Sequence, residues 1–79
     1  MQEKNTFKKV SNIVRGIKET RENLNYTQEY LATCLGISQH AYSKIESGFT
    51  RLTVEHLIDI SEALNVTSEI LIARGEMHG

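Results

Sequence analysis

Between Tyr26 and Leu71 the chain repeats one local pattern four times: an apolar residue, then Ser or Thr, then a second apolar residue four positions after the hydroxyl. Tyr26-Thr27 is followed by Leu31, Ile37-Ser38 by Tyr42, Leu52-Thr53 by Leu57, and Val66-Thr67 by Leu71. This is the signature of a hydrophobic staple around a helix N-cap. The hydroxyl accepts from an unpaired N–H of the first turn, a contribution of about 1 kcal/mol per cap. Helix starts so closely spaced leave room only for short helices and short connections, which forces neighbours to pack directly on one another. Three of the four starts carry Glu at the second helical position, Glu29, Glu55 and Glu69, where the helix dipole favours an anion. The start at Ser38 carries Gln39 and His40 instead.

Ahead of the first staple, Phe7, Val10, Val14 and Ile17 recur at helical steps, with Ile13 beside them and Leu24 closing the run. That is the period of an amphipathic helix. No segment alternates apolar and polar residues between hairpin turns, so strand signals are missing, and the chain has no proline. The reading is an all-α domain of five helices, at about 6–24, 27–35, 38–47, 53–64 and 67–73. The inward stripes of the later helices are Leu31, Ala32 and Leu35; Ala41, Tyr42 and Ile45; Val54, Leu57, Ile60, Ser61 and Leu64; and Ile70 with Leu71.

Composition bounds what such a fold can do. A chain of 79 residues buries only about 60% of the surface it exposes when unfolded, so its stability is a few kcal/mol and a partner subunit helps. A hydrophobic fraction of 39% with a formal charge of −1 is too apolar for disorder. No apolar run approaches the roughly 18 residues of a membrane span, and no signal core follows the polar N-terminus. A single cysteine, Cys34, excludes an internal disulfide and fits the reducing cytosol. We expect one soluble, cytoplasmic, nucleoid-associated domain over residues 1–79, its core at about 13–73 between short flexible ends. The charge is uneven: Lys4, Lys8, Lys9, Arg15, Lys18 and Arg21 dominate the first 21 residues, and Glu55, Asp59, Glu62, Glu69 and Glu76 dominate the last 28. Only one side of the molecule then suits a polyanion, unless the charges are simply scattered over the surface.

Gly36 and Ser38 make the second connection the tightest. Gly36 suits the left-handed residue that closes a helix, and the next helix starts two positions later, so the two cross steeply. Ala32 supplies the small residue at closest approach, and Leu31, Leu35, Ile37 and Ile45 fill the angle. With Arg21, the Leu31-Ala32 pair, the Ile45-Glu46-Ser47-Gly48 run and Leu64-Asn65-Val66, this region resembles the lambda-repressor/Cro-type (Xre-like) helix-turn-helix family of bacterial and phage transcription regulators. The resemblance runs from about Ile13 to Leu71, and it implies a five-helix lambda-repressor-like DNA-binding domain.

It also implies a role for Arg21, a cation on an inward stripe. In similar members this arginine pairs with the glutamate near the end of the third helix, here Glu46. Bidentate pairing would fasten the first helix to the third; two independently solvated side chains are the alternative. Two positions depart from the family pattern. Tyr42 stands where Val or Ile is usual, which gives the expectation of a third helix packed slightly outward, and Leu52 stands where many members carry proline.

With Ala41, Tyr42 and Ile45 inward, helical spacing leaves Gln39, His40, Ser43, Lys44 and Ser47 on the opposite face of the third helix. That face carries no acid. In a major groove such a helix offers its N-terminal half to base edges: Gln39 suits adenine, Lys44 suits guanine N7 and O6, His40 reaches a base or phosphate, and Ser43 makes a short contact. Phosphate binding falls to Gln28 and Ser38 at helix starts and to Ser47, Thr50 and Arg51 around the next loop, with an ordinary solvated loop as the alternative for the last two. Lys8, Lys9, Arg15 and Lys18 add long-range attraction. One half-site binds weakly, so a homodimer on a two-fold operator follows. Ile58, Ile70, Ile72 and Met77 exceed what one small core needs and form the expected dimer interface, unless they complete the monomer core.

Cys34, His40, His56 and His78 show none of the paired spacings of a metal site. Cys34 has no evident base or orienting group, and there is no glycine-rich phosphate loop. We therefore expect no catalysis, metal, cofactor or small-molecule ligand. The expected function is a sequence-specific double-stranded DNA-binding transcriptional regulator, of repressor or controller type, acting as a homodimer on a palindromic operator. A protein-interaction module or an antitoxin component with the same helical fold is the alternative.

Overall fold

The structure, a computed structural model, describes residues 5–77, with side chains described as far as Gly75. Five helices follow one another: α1 Thr6–Asn23, α2 Gln28–Leu35, α3 Gln39–Glu46, α4 Val54–Leu64 and α5 Ser68–Met77. There is no strand among the described residues. Each staple residue starts a helix. Thr27 Oγ1 accepts from Tyr30 N at 3.0 Å, Ser38 Oγ from Ala41 N at 3.0 Å, Thr53 Oγ1 from His56 N at 3.0 Å, and Thr67 Oγ1 from Ile70 N at 3.2 Å.

Helix stops are built from one device as well. Asn25, Gly36 and Asn65 take left-handed φ values of 62°, 72° and 58°. The residue after each one bonds back to the preceding helix: Tyr26 N to Arg21 O, Ile37 N to Ala32 O and Val66 N to Ser61 O, each at 3.0 Å. This is the Schellman closure, which pairs carbonyls that the helix end would leave open. Stop and start thus share three residues, Asn-Tyr-Thr, Gly-Ile-Ser and Asn-Val-Thr. Asparagine serves beside glycine because, after glycine, it visits the left-handed region most readily. The α3–α4 connection is built differently. Gly48 closes α3 at φ 81°, Thr50 N donates to Lys44 O at 3.0 Å, and several residues pass before Thr53 caps α4.

Ile17, Leu31, Ala32, Tyr42, Ile60, Leu64 and Leu71 form the buried core, with Ile13, Tyr26, Leu35, Ile37, Leu52, Leu57, Ala63 and Val66 packed against it. Tyr42 is wholly buried, so the core accommodates its ring where an outward-packed α3 would have left it at the margin. α5 lies against α1 and continues past residue 73, where the sequence pattern ends. A Cβ on Gly75 would stand 2.6 Å from Ile13 Cγ1 and 2.9 Å from the Lys9 carbonyl oxygen, so glycine permits the approach. Asn12 Nδ2 donates to Gly75 O at 3.3 Å. This docking offsets the roughly 1 kcal/mol that glycine costs inside a helix relative to alanine.

Four residues read as inward are exposed. Phe7 is 84% and Val54 70% exposed, and Leu24 and Ile70 are also open to solvent. All four lie in a first turn or at a helix end. Spacing fixes the angle of a side chain around the axis, but not whether a neighbour extends that far along it.

Candidate nucleic-acid interface

The Ser38 cap and the Gly36 turn fix the start of α3, and burial of Tyr42 and Ile45 fixes its rotation. Gln39 and His40 consequently stand exposed, Ser43 and Lys44 half-buried, and Ser47 exposed at the C-cap. The outward face has no carboxylate. Among the described residues, the side chains of Gln39, His40 and Ser43 make no hydrogen bond within the protein.

Behind that face lies a buried polar cluster. Arg21 Nε donates to Glu46 Oε2 at 2.7 Å and Arg21 Nη2 to Oε1 at 3.1 Å, a bidentate pair. Arg21 Nη1 donates to Tyr26 O at 2.7 Å. The Tyr42 hydroxyl donates to Glu46 Oε2 at 2.7 Å, and Gln28 Nε2 donates to Oε1 at 3.1 Å. Burial opposes ionisation of Glu46, but hydrogen bonds from Arg21, Tyr42 and Gln28 outweigh it and hold the carboxyl below its ordinary range. The hydrogen bond to Glu46 raises the Arg21 pKa further. Burial, followed by the bond to Glu46, pushes the Tyr42 hydroxyl far up. The cluster joins α1, the α1–α2 turn, the start of α2 and α3, and so sets the pose of α3.

Sequence reasoning overlooked two of its members. Tyr42 precedes Glu46 by four residues on one helix face, a legible spacing. Gln28 has no such signal, since its contact depends on how α2 meets α3. One amide hydrogen of Gln28 is taken by Glu46, and an amide has a second to offer. Similarly, the Ser38 oxygen accepts from Ala41 N while its hydroxyl hydrogen can still donate.

Two clefts flank the outward face. One, of about 410 Å³, is lined by Ser38, His40, Lys44 and Thr50, with His56 from α4. From sequence His56 enters only among the histidines that lack metal-site spacing, with no place in the interface. Its Nδ1 is shielded from solvent and has no hydrogen-bond partner among the described residues. The second cleft, of about 830 Å³, brings Ser47, Thr50 and Arg51 opposite Arg15 and Lys18 of α1, with Phe7 and Phe49 also lining it. Among the described residues, Glu46 is the one acid lining either cleft, and Arg21 pairs with it. Gln39 lines neither. Arg15, Lys18 and Arg51 therefore stand on one side of α3, and Ser38, Thr50 and His56 on the other, with Lys44 on the helix itself, an arrangement suited to a polyanion.

The α4 and α5 surfaces have the opposite character. Ile58, Ile70 and Ile72 are exposed, with Glu55, Asp59, Glu62 and Glu69 exposed on the same two helices. The side chain of Met77 lies outside the described residues. Cys34 is an exposed free thiol. No helix among the described residues is long and apolar enough to cross a membrane.

The sequence comparisons agree with this geometry. A family model described as helix-turn-helix matches residues 17–71. The chain is 39% identical over 54 residues to the cryptic phage CTXphi transcriptional repressor RstR of Vibrio cholerae serotype O1, covering 68% of this chain and 48% of that protein. It is 31% identical over 58 residues to the HTH-type transcriptional regulator AnsR of Bacillus subtilis, covering 73% of this chain and 50% of that one. The chain thus spans about half the length of these curated relatives. No solved structure gives a significant match. With the match covering the Gly36 turn, the Arg21–Glu46 cluster and both flanking helices, the chain belongs to the Xre-like helix-turn-helix family of DNA-binding transcription regulators.

Proposed function

We propose that the chain is a sequence-specific double-stranded DNA-binding regulator of transcription that occupies a two-fold operator as a homodimer. One observation carries the reading: α3 presents an exposed, acid-free face between two clefts rimmed by cations and hydroxyls. Set in a major groove, Gln39, His40, Ser43 and Lys44 read base edges. Gln28, Ser38, Ser47, Thr50 and Arg51 hold the phosphates on either side, which supplies affinity without sequence information. The ion pair of Arg21 and Glu46 serves the structure. Exposed Ile58, Ile70 and Ile72, with Met77, form the contact between subunits. The acidic surroundings of that contact keep it off the DNA.

Selection of bound sequences from a random duplex pool, repeated at rising salt, tests the reading. The expected product is a palindrome whose half-sites lie about one helical turn apart, with affinity falling steeply as salt rises. A single unrepeated half-site would remove the homodimer. Absence of duplex binding even at low salt would leave the protein-interaction reading of the same fold.

A further inference from the structure

Phe49 is the most conspicuous residue of the interface to which the proposed function gives no role. It stands 80% exposed, outside the hydrophobic core, in the connection that departs from the three-residue device of the other turns. That loop is folded back on α3. Gly48 takes its left-handed turn, Thr50 N donates to Lys44 O, and the Ser47 hydroxyl donates to the same carbonyl at 3.1 Å. The fold places the Phe49 ring beside the side chain of Lys44, whose Nζ lies 5.5 Å from the ring centroid. This is within the range of a cation–π contact. An aromatic ring and an ammonium therefore advance together at the C-terminal end of the outward face.

We propose that Phe49 is a second kind of sequence-reading residue, acting from outside the recognition helix. Its ring steadies the Lys44 ammonium and packs on the 5-methyl group of a thymine beside the base pair that Lys44 reads. The inference rests on the reading of α3 as a major-groove helix. The chemistry follows from the groove: the thymine methyl is the apolar mark on its floor, and phenylalanine is among the side chains suited to touch it. Reach follows from the spacing, since base pairs stack about 3.4 Å apart. A ring 5.5 Å from the ammonium falls within about two base steps of the base that Lys44 contacts. Pairing the two side chains gives one joint reading, a hydrogen-bond acceptor next to a methyl group, which neither delivers alone.

Replacing each thymine of a selected half-site by deoxyuridine removes only the methyl and isolates this contact. Affinities are measured by fluorescence anisotropy for the wild-type chain, Phe49→Ala and Phe49→Leu, with Lys44→Ala locating the base pair that lysine reads. At one thymine within two steps of that pair, the wild type loses about three- to fivefold, the scale of burying one methyl group. Phe49→Ala loses nothing further on deoxyuridine there and shows a flatter preference at the lysine-dependent pair, while Phe49→Leu keeps part of the methyl sensitivity. Because Phe49 is exposed, the variants keep the wild-type melting temperature, which is checked in parallel. Indifference of the wild type to every replacement, or unchanged sensitivity in Phe49→Ala, overturns the proposal while leaving DNA binding in place. An aromatic that served a protein partner would give the second result. If no variant, wild type included, binds any duplex, the DNA reading itself fails.

Discussion

The two faces of α3 obey opposite rules within eight residues. On the inner face, Tyr42 and Ile45 are buried, and Glu46 is saturated by four donors from two other segments of chain and from its own helix. On the outer face, Gln39, His40 and Ser43 have polar groups and no side-chain hydrogen bond among the described residues, and Lys44 rests on an exposed ring. A buried carboxylate is tolerated only when its lone pairs are met. Exposed polar groups face no such demand and remain available to a ligand. The inner face therefore fixes where the helix sits, and the outer face is free to specify what it meets. Gln28 bridges the two: it donates to Glu46 and stands at the start of α2 beside the proposed phosphate contacts.

Substitutions on the two faces should separate stability from recognition. Arg21→Met strips the cation from Glu46 and leaves a buried charge uncompensated, at a cost of about 3–5 kcal/mol. That is comparable with the whole stability of a domain this small, so urea unfolding at neutral pH should find the variant largely unfolded. A loss below about 1 kcal/mol would mean that the cluster does not fasten α1 to α3. On the outer face, Lys44→Ala should leave the unfolding free energy within about 0.5 kcal/mol of wild type. It should relax preference at one base pair per half-site by about 1–3 kcal/mol. Gln28→Ala should instead weaken all duplexes alike and lower stability modestly, since it removes one donor from the cluster. If the Lys44 change leaves the selected sequence untouched, that residue is not a reader.

The smallest effect is a pH dependence confined to the inner face. The folded chain favours ionised Glu46, so its carboxyl titrates below the unfolded range near 4.3. Its stabilising contribution is complete above that range and is lost as pH falls through the lowered folded value, by about 1.4 kcal/mol for each unit of displacement. Other carboxylates titrate there too, so the informative quantity is the difference between wild type and Glu46→Gln. The wild-type advantage should shrink as pH falls from about 5 toward 2. Parallel stability curves for the two proteins would contradict the inner-face account.

Much of the fold was legible because its signals are local. Each hydroxyl of the four staples caps the helix it precedes, and Gly36 closes α2 as its spacing demands. The left-handed closures at Asn25 and Asn65 were readable by the same logic and were overlooked. Phe7 and Val54 show where periodicity stops informing. They carry the right spacing, but no neighbouring element covers them. The partnership of Arg21 with Glu46 came from family resemblance, since nothing local links residues 25 positions apart. Tyr42 and Gln28, the other two donors to that carboxylate, emerged only with the packed helices.

By itself the sequence determined the helix starts, the tight α2–α3 turn and the acid-free composition of one helix face, because capping, closure and helical period act over a few residues. Tertiary structure decided which polar groups meet at Glu46, how far α5 continues along α1, and that Lys44 lies against Phe49. Those outcomes depend on the angles at which helices cross and on where a neighbour ends, quantities that no short stretch of chain encodes alone.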